Sequence, residues 1–201
     1  LVQAGRASGA AAWIKAATGQ TINAGGTITL TGGPANAYAE MSTTAGSQTI
    51  GNVDTSYYDQ TDSITLTGGT AAGSYAKIST GGTQNIRSSA DVTLTGGVGG
   101  NSGAQMLAGT GQNLTAYGKL SMTGGNGNGT GLQATAIRNS TSGNQSLNVT
   151  GDITVTGGSG SADTWIYHVC SGVQNISTGG NLSLISPSAT PNVNVTSISM
   201  R

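Results

Sequence analysis

The sequence predicts an all-β chain, a right-handed parallel β-solenoid (β-helix) with three short strands per coil, a coil of about 28 residues and about six to seven coils. Three observations predict it. Gln followed two residues later by Ile or Leu recurs at Gln20/Ile22, Gln48/Ile50, Gln84/Ile86, Gln112/Leu114, Gln145/Leu147 and Gln174/Ile176. An alternating run that ends in Gly-Gly recurs as Ile28 to Gly33, Ile64 to Gly69, Val92 to Gly97, Leu120 to Gly125 and Ile153 to Gly158. The residues needed for an ordinary core are scarce: aromatics make up 4% of the 201 residues, Phe is absent and glycine occurs 35 times.

The first strand of each unit carries Gln-x-Ile. Successive Gln are 28, 36, 28, 33 and 29 residues apart. The irregular steps come from insertions near Asp54–Asp62 and near Arg138–Ser142, and the stretch 11–15 reads as a partial unit where Tyr38-Ala39-Glu40-Met41 stands in the next. Gln shares a face with the Ile two residues on. Either it points inward, its amide bonded to backbone or to the next Gln, or it satisfies turn amides at a corner.

The second strand reads Ile-Thr-Leu-Thr, so Ile28 and Leu30 face one way and Thr29 and Thr31 the other. Gly-Gly after it marks a corner where the backbone takes φ > 0 or approaches a neighbour closely. In the last copy Ser186-Pro187 replaces the glycines. The third strand carries a small residue and then a larger apolar one, as in Ala76-Lys77-Ile78 and Ala104-Gln105-Met106. No unit buries its apolar side chains alone. Stacking buries them as columns, Ile22, Ile50, Ile86, Leu114, Leu147, Ile176 in one and Ile28, Ile64, Val92, Leu120, Ile153, Leu182 in another. Handedness follows the preference of parallel crossovers. Helical periodicity is absent. The chain, 1–201, reads as one repeat segment of something longer.

Charge removes several functions. Seven Lys/Arg balance seven Asp/Glu, which argues against nucleic acid, where phosphate neutralisation drives affinity. No apolar run approaches the roughly 20 residues of a membrane span. Cys170 is the one cysteine, so an intrachain disulfide and a multi-cysteine metal site are excluded.

The phrases Gly19-Gln20-Thr21-Ile22, Gly26-Thr27-Ile28-Thr29-Leu30-Thr31-Gly32-Gly33 and Gly151-Asp152-Ile153-Thr154-Val155-Thr156-Gly157-Gly158 resemble the repeats of filamentous-haemagglutinin-like adhesins, which bacteria export by two-partner secretion. The likeness covers essentially the whole chain. It implies a non-enzymatic, cofactor-free fibrous shaft, extracellular or on the bacterial cell surface. Its expected partners are glycans or host and cell-surface proteins. Bare strand edges at the ends add an expectation of end-to-end self-association or continuation in the same chain.

Recognition is expected first at the insertion, where Asp54, Tyr57, Tyr58, Asp59 and Asp62 gather carboxylates and aromatic rings on a loop. The plainer reading is a solvated bulge. Trp165 and Tyr167 share one face of a third strand. Counting from Gly-Gly points them inward, and counting back from Gln174 points them outward.

A flat face of Thr29/Thr31, Thr65/Thr67, Thr93/Thr95, Ser121/Thr123 and Thr154/Thr156 resembles ice-binding solenoid faces. Threonine is also simply a good strand former. Asp91, Lys119 and Asp152 occupy equivalent places and suggest an alternating-charge ladder. Two coils separate the carboxylates, about 9.6 Å, which is near the spacing of inverting glycosidases. A polysaccharide-acting enzyme is therefore the second alternative, and Lys119 between them works against a general acid. His168 has no nucleophile beside it in the repeat.

Gly157 to Asp163 nearly matches a calcium-binding nonapeptide, but Ala162 stands where that motif requires Asp. Asn-x-Ser/Thr triplets begin at Asn113, Asn128, Asn139, Asn144, Asn148, Asn175, Asn181 and Asn194.

Overall fold

The structure is a computed structural model that describes residues 1–34, 36–51, 61–126, 134–159, 163–186 and 193–195. Three kinds of strand alternate along the chain. Sheet A takes β1 (Val2–Gln3), β4 (Ile28–Thr31), β7 (Ile64–Thr67), β10 (Val92–Thr95), β13 (Leu120–Thr123), β16 (Ile153–Thr156) and β19 (Leu182–Ile185). Sheet B takes β2 (Ala12–Ala16), β5 (Ala39–Thr43), β8 (Ala76–Thr80), β11 (Ala104–Ala108), β14 (Thr135–Asn139), β17 (Thr164–His168) and β20 (Val193–Val195). Sheet C takes β3 (Gln20–Ile22), β6 (Gln48–Ile50), β9 (Thr83–Ser88), β12 (Gly111–Ala116), β15 (Gln145–Val149) and β18 (Gln174–Thr178). Each strand pairs in parallel with its equivalents one coil before and after, so the chain is a β-solenoid with three strands per turn.

The register is the one the repeat implies. Ile28, Ile64, Val92, Leu120, Ile153 and Leu182 lie over one another. So do Ile22, Ile50, Ile86, Leu114, Leu147 and Ile176. Sheet B adds Met41, Ile78, Met106, Ile137 and Ile166, each almost fully buried. Sheet A adds a second inward column, Leu30, Leu66, Leu94, Met122 and Val155, each fully buried. Burial of each is worth about 1.5–3 kcal/mol.

The glutamines point inward. Gln48, Gln84, Gln112, Gln145 and Gln174 are each at most 5% exposed. Each Nε2 donates to the Oε1 of the glutamine one coil before: Gln48 to Gln20 at 2.8 Å, Gln84 to Gln48 at 3.0 Å, Gln112 to Gln84 at 2.8 Å, Gln145 to Gln112 at 2.7 Å and Gln174 to Gln145 at 2.6 Å. The second hydrogen of Nε2 goes to a sheet B carbonyl, Met41 O for Gln48 and Met106 O for Gln112. Of the two roles open to these residues, the structure selects bonding within the rod. It satisfies polar groups that would otherwise be costly to bury.

Gly-Gly is required by close approach and not by backbone sign. None of these pairs has positive φ; among the described residues the glycines that do are Gly9, Gly46, Gly51, Gly73, Gly143 and Gly172. A Cβ on Gly32 would lie 2.7 Å from Gly69 N and 2.8 Å from Ser74 O. The corner of one coil sits directly on the corner of the next, with no room for a side chain.

Candidate functional site

The rod offers three outer faces. On sheet A, Thr29, Thr65, Thr93, Ser121 and Thr154 form one ladder, and Thr31, Thr67, Thr95, Thr123 and Thr156 the other. All are half-buried except Thr123, which is exposed. The array is in register over β4, β7, β10, β13 and β16, and Ile185 ends the second ladder. On sheet C the outward residues are small and polar apart from Arg87, and Asn113 Nδ2 donates to Asn85 Oδ1 at 2.9 Å.

Sheet B differs. Its outward side chains are larger, and β5 is buried at all five positions. Trp13, Glu40 and Lys77 fall in one column. Tyr38 and Tyr75, just before β5 and β8, share its outward parity. Trp13, Tyr38 and Tyr75 stack ring on ring, with centroids 6.2 Å and 4.8 Å apart and planes inclined 27° and 12°. Glu40 lies between two cations, 3.9 Å from Lys15 Nζ and 3.5 Å from Lys77 Nζ. The ammonium groups also sit over rings, Lys15 over Trp13 and Lys77 over Tyr75.

Lysine stems and rings keep the Glu40 side chain 9% exposed. Burial first, then the Glu40 charge, push the Tyr75 phenol well above its usual range, and the phenol O–H donates to Glu40 at 3.4 Å. This cluster was not anticipated from the sequence. Aligning the third strands shows its signal, because Trp13, Glu40 and Lys77 are then consecutive in one column. The stacked rings strap three coils together, with Trp13 at the open end of the stack 57% exposed.

The other end of sheet B holds the sequence-predicted pair. Ile166 is buried against Ile137, and Trp165 and Tyr167 face outward, half-buried, with rings 5.9 Å apart and tilted by 57°. The counting conflict has a local cause. Gly157 to Thr164 is seven residues where Gly96 to Ala104 is eight, and Thr164 to Gln174 is ten where Ala104 to Gln112 is eight. Beneath Trp165 lies Ala136 and beneath Tyr167 lies Arg138. The indole Nε1 of Trp165 and Nε of Arg138 are buried without a hydrogen-bond partner.

The remaining candidates separate. Asp54, Tyr57, Tyr58 and Asp59 lie outside the described residues. Asp62 is exposed, its amide donates to Gly26 O at 3.2 Å, and its carbonyl accepts from Ser88 Oγ at 2.8 Å. The expected charge ladder is replaced by capping: Asp91 Oδ1 accepts from Lys119 N and Asp152 Oδ1 from Asn181 N, both at 2.8 Å. A backbone amide one coil on is always in reach, whereas the lysine head has solvent to occupy.

His168 does have a nucleophile nearby, since Cys170 Sγ is 3.7 Å from both ring nitrogens. A sulfur equidistant from the two lies along neither nitrogen's lone-pair direction, so the pair is not set for proton transfer. Of the Asn-x-Ser/Thr triplets, Asn113, Asn144, Asn148, Asn175 and Asn181 are exposed and Asn139 is fully buried. Asn128, Asn194 and Ala162 lie outside what is described of side chains.

The chain matches no protein-family model, no curated protein and no solved structure.

Proposed function

We propose that this β-solenoid is a non-enzymatic shaft segment of a bacterial surface or secreted adhesin, working outside the cell, whose outer sheet faces bind glycans or proteins of other cells. The observation that carries the reading is the unbroken register of inward columns and glutamine ladder through the coils. Such stacking makes a stiff rod whose side chains are presented in straight rows. The likeness of the repeat phrases to filamentous-haemagglutinin-like adhesins points the same way. The capping role of Asp91 and Asp152 speaks against the carboxylate chemistry of a polysaccharide-cleaving enzyme.

In this reading the rod stacks end to end on a second copy. Ile14 in β2 is 44% exposed and Leu184 in β19 is 45% exposed, both at inward positions. The test is adhesion. Beads coated with the chain are expected to bind bacterial or host cells, and scattering is expected to show rods that lengthen with concentration. Compact particles of fixed size without adhesion would overturn the reading.

A second reading is favoured by one observation, the in-register threonine array of sheet A. Regular hydroxyl and methyl groups on a flat, uncharged, rigid face suit an ice surface.

A further inference from the structure

We infer that the outer face of β14 and β17 is a subsite for a carboxylate-bearing saccharide, held by Arg138, Trp165 and Tyr167; the inference rests on the adhesin reading and names its ligand class. It starts from a cation without a counterpart. Arg138 is half-buried, its Nε is buried without a hydrogen-bond partner, and among the described residues its guanidinium makes no ion pair or cation–π contact. The contrast is with Lys15, Lys77 and Arg87, since the exposed Arg6 and Lys119 also make no ion pair among the described residues. Lys15 and Lys77 share Glu40, and Arg87 lies against Tyr117 and donates to its hydroxyl. A part-buried charge without an opposite charge is unfavourable, and an anionic group brought to it is stabilising.

The second observation is independent of the first. The indole N–H of Trp165, one strand on, is buried and has no acceptor. Two donors without acceptors therefore stand on adjacent strands of the same outward face. The guanidinium favours an anionic group, and the indole N–H needs only an acceptor. The third observation supplies the rest of the ligand: Trp165 and Tyr167 are half-buried, face outward and are tilted at 57° rather than stacked, so neither ring covers the other's face. A sugar ring lies on an aromatic face, and a carboxylate on that ring meets the guanidinium edge, whose planar fork matches it with two parallel hydrogen bonds. Both nitrogens are covered, so seating the ligand takes rotations of the Arg138 and Trp165 side chains that uncover Nε and Nε1.

The test is calorimetric titration of the purified chain with polygalacturonate, dextran sulfate and neutral dextran, beside the bead adhesion assay. Polygalacturonate is expected to bind and dextran not. Arg138→Gln is expected to weaken polygalacturonate binding at least tenfold, and Trp165→Phe, which keeps a ring and removes the donor, several-fold. Arg87→Gln on sheet C is expected to leave it unchanged. The melting temperature of Arg138→Gln is expected to hold or rise, because an unpartnered charge is removed; a structural arginine would lower it.

Undiminished binding by Arg138→Gln, an equal loss in Arg87→Gln, or equal affinity for dextran sulfate overturns the inference. Wild-type adhesion to cells without polygalacturonate binding overturns the subsite and leaves the adhesin reading standing. Loss of both overturns both.

Discussion

Gln112 donates one side-chain hydrogen to Gln84 at 2.8 Å and the other to the Met106 carbonyl at 3.1 Å, so its amide belongs at once to the ladder along the rod and to the sheet across it. Replacing it strands two neighbours. In Gln112→Leu, Gln84 Oε1 loses its donor and Gln145 Nε2 loses its acceptor. Each buried polar group left unsatisfied costs about 1–3 kcal/mol, so a loss of about 2–5 kcal/mol is expected in urea unfolding. Gln20→Leu, in the half-buried first coil, strands the Gln48 donor and an Ile14 carbonyl that water reaches, and about 1 kcal/mol is expected. Equal losses at the two positions would show that the ladder is not what holds the coils in register.

The corner glycines give a sharper contrast. Gly32→Ala puts a methyl against backbone atoms of Gly69 and Ser74 that cannot move without shifting the next coil. A loss of about 1–3 kcal/mol or more is expected. Gly25 has nothing within 4 Å of its Cβ position and no positive φ. Gly25→Ala is therefore expected to be neutral or to stabilise by up to about 1 kcal/mol, by restricting the unfolded chain. Thermal melts of the two variants side by side decide it.

These two positions also show what was legible in advance. The columns could be read because Gln-x-Ile and Ile-Thr-Leu-Thr keep their internal spacing through every insertion, and strand alternation then fixes the inward set. Gln-x-Ile could not say whether its amide reaches the next coil or a turn, because both need the same parity. Gly-Gly could not separate positive φ from crowding, since glycine answers both needs. Trp165 and Tyr167 stayed ambiguous because two turns changed length in opposite senses within one coil. The Glu40 cluster is a relation between residues in three coils, and it exists only once the third strands are aligned across turns of unequal length.

Tyr75 carries the pH dependence. Its phenol is held neutral in the fold by burial and by the Glu40 charge, well above the ordinary tyrosine value near 10. In the unfolded chain the phenol ionises above about pH 10 while the folded one does not, so the fold loses stability as pH rises beyond that point. Below pH 10 both forms are protonated and the group is silent. Tyr75→Phe is expected to flatten the alkaline decline in a series of melts between pH 8 and about 12. A decline of unchanged slope would assign alkaline sensitivity to other groups.

The threonine face decides between the two functional readings. Four-residue strands stacked over five Thr-bearing coils present a flat area of roughly 300 Å². That is less than half of the roughly 800 Å² per partner that a stable protein interface buries. The face is too small to hold a protein partner alone, whereas a crystal lattice needs only matched repeats. Ice recrystallisation assays at micromolar protein measure this directly. If the face engages ice, Thr93→Tyr, in the middle of the array, abolishes the inhibition by lifting the surface off the lattice. Asn113→Tyr, on sheet C, is expected to keep it. Absence of inhibition by the unaltered chain, or equal activity of both variants, leaves the threonines as strand formers whose ladders stabilise sheet A.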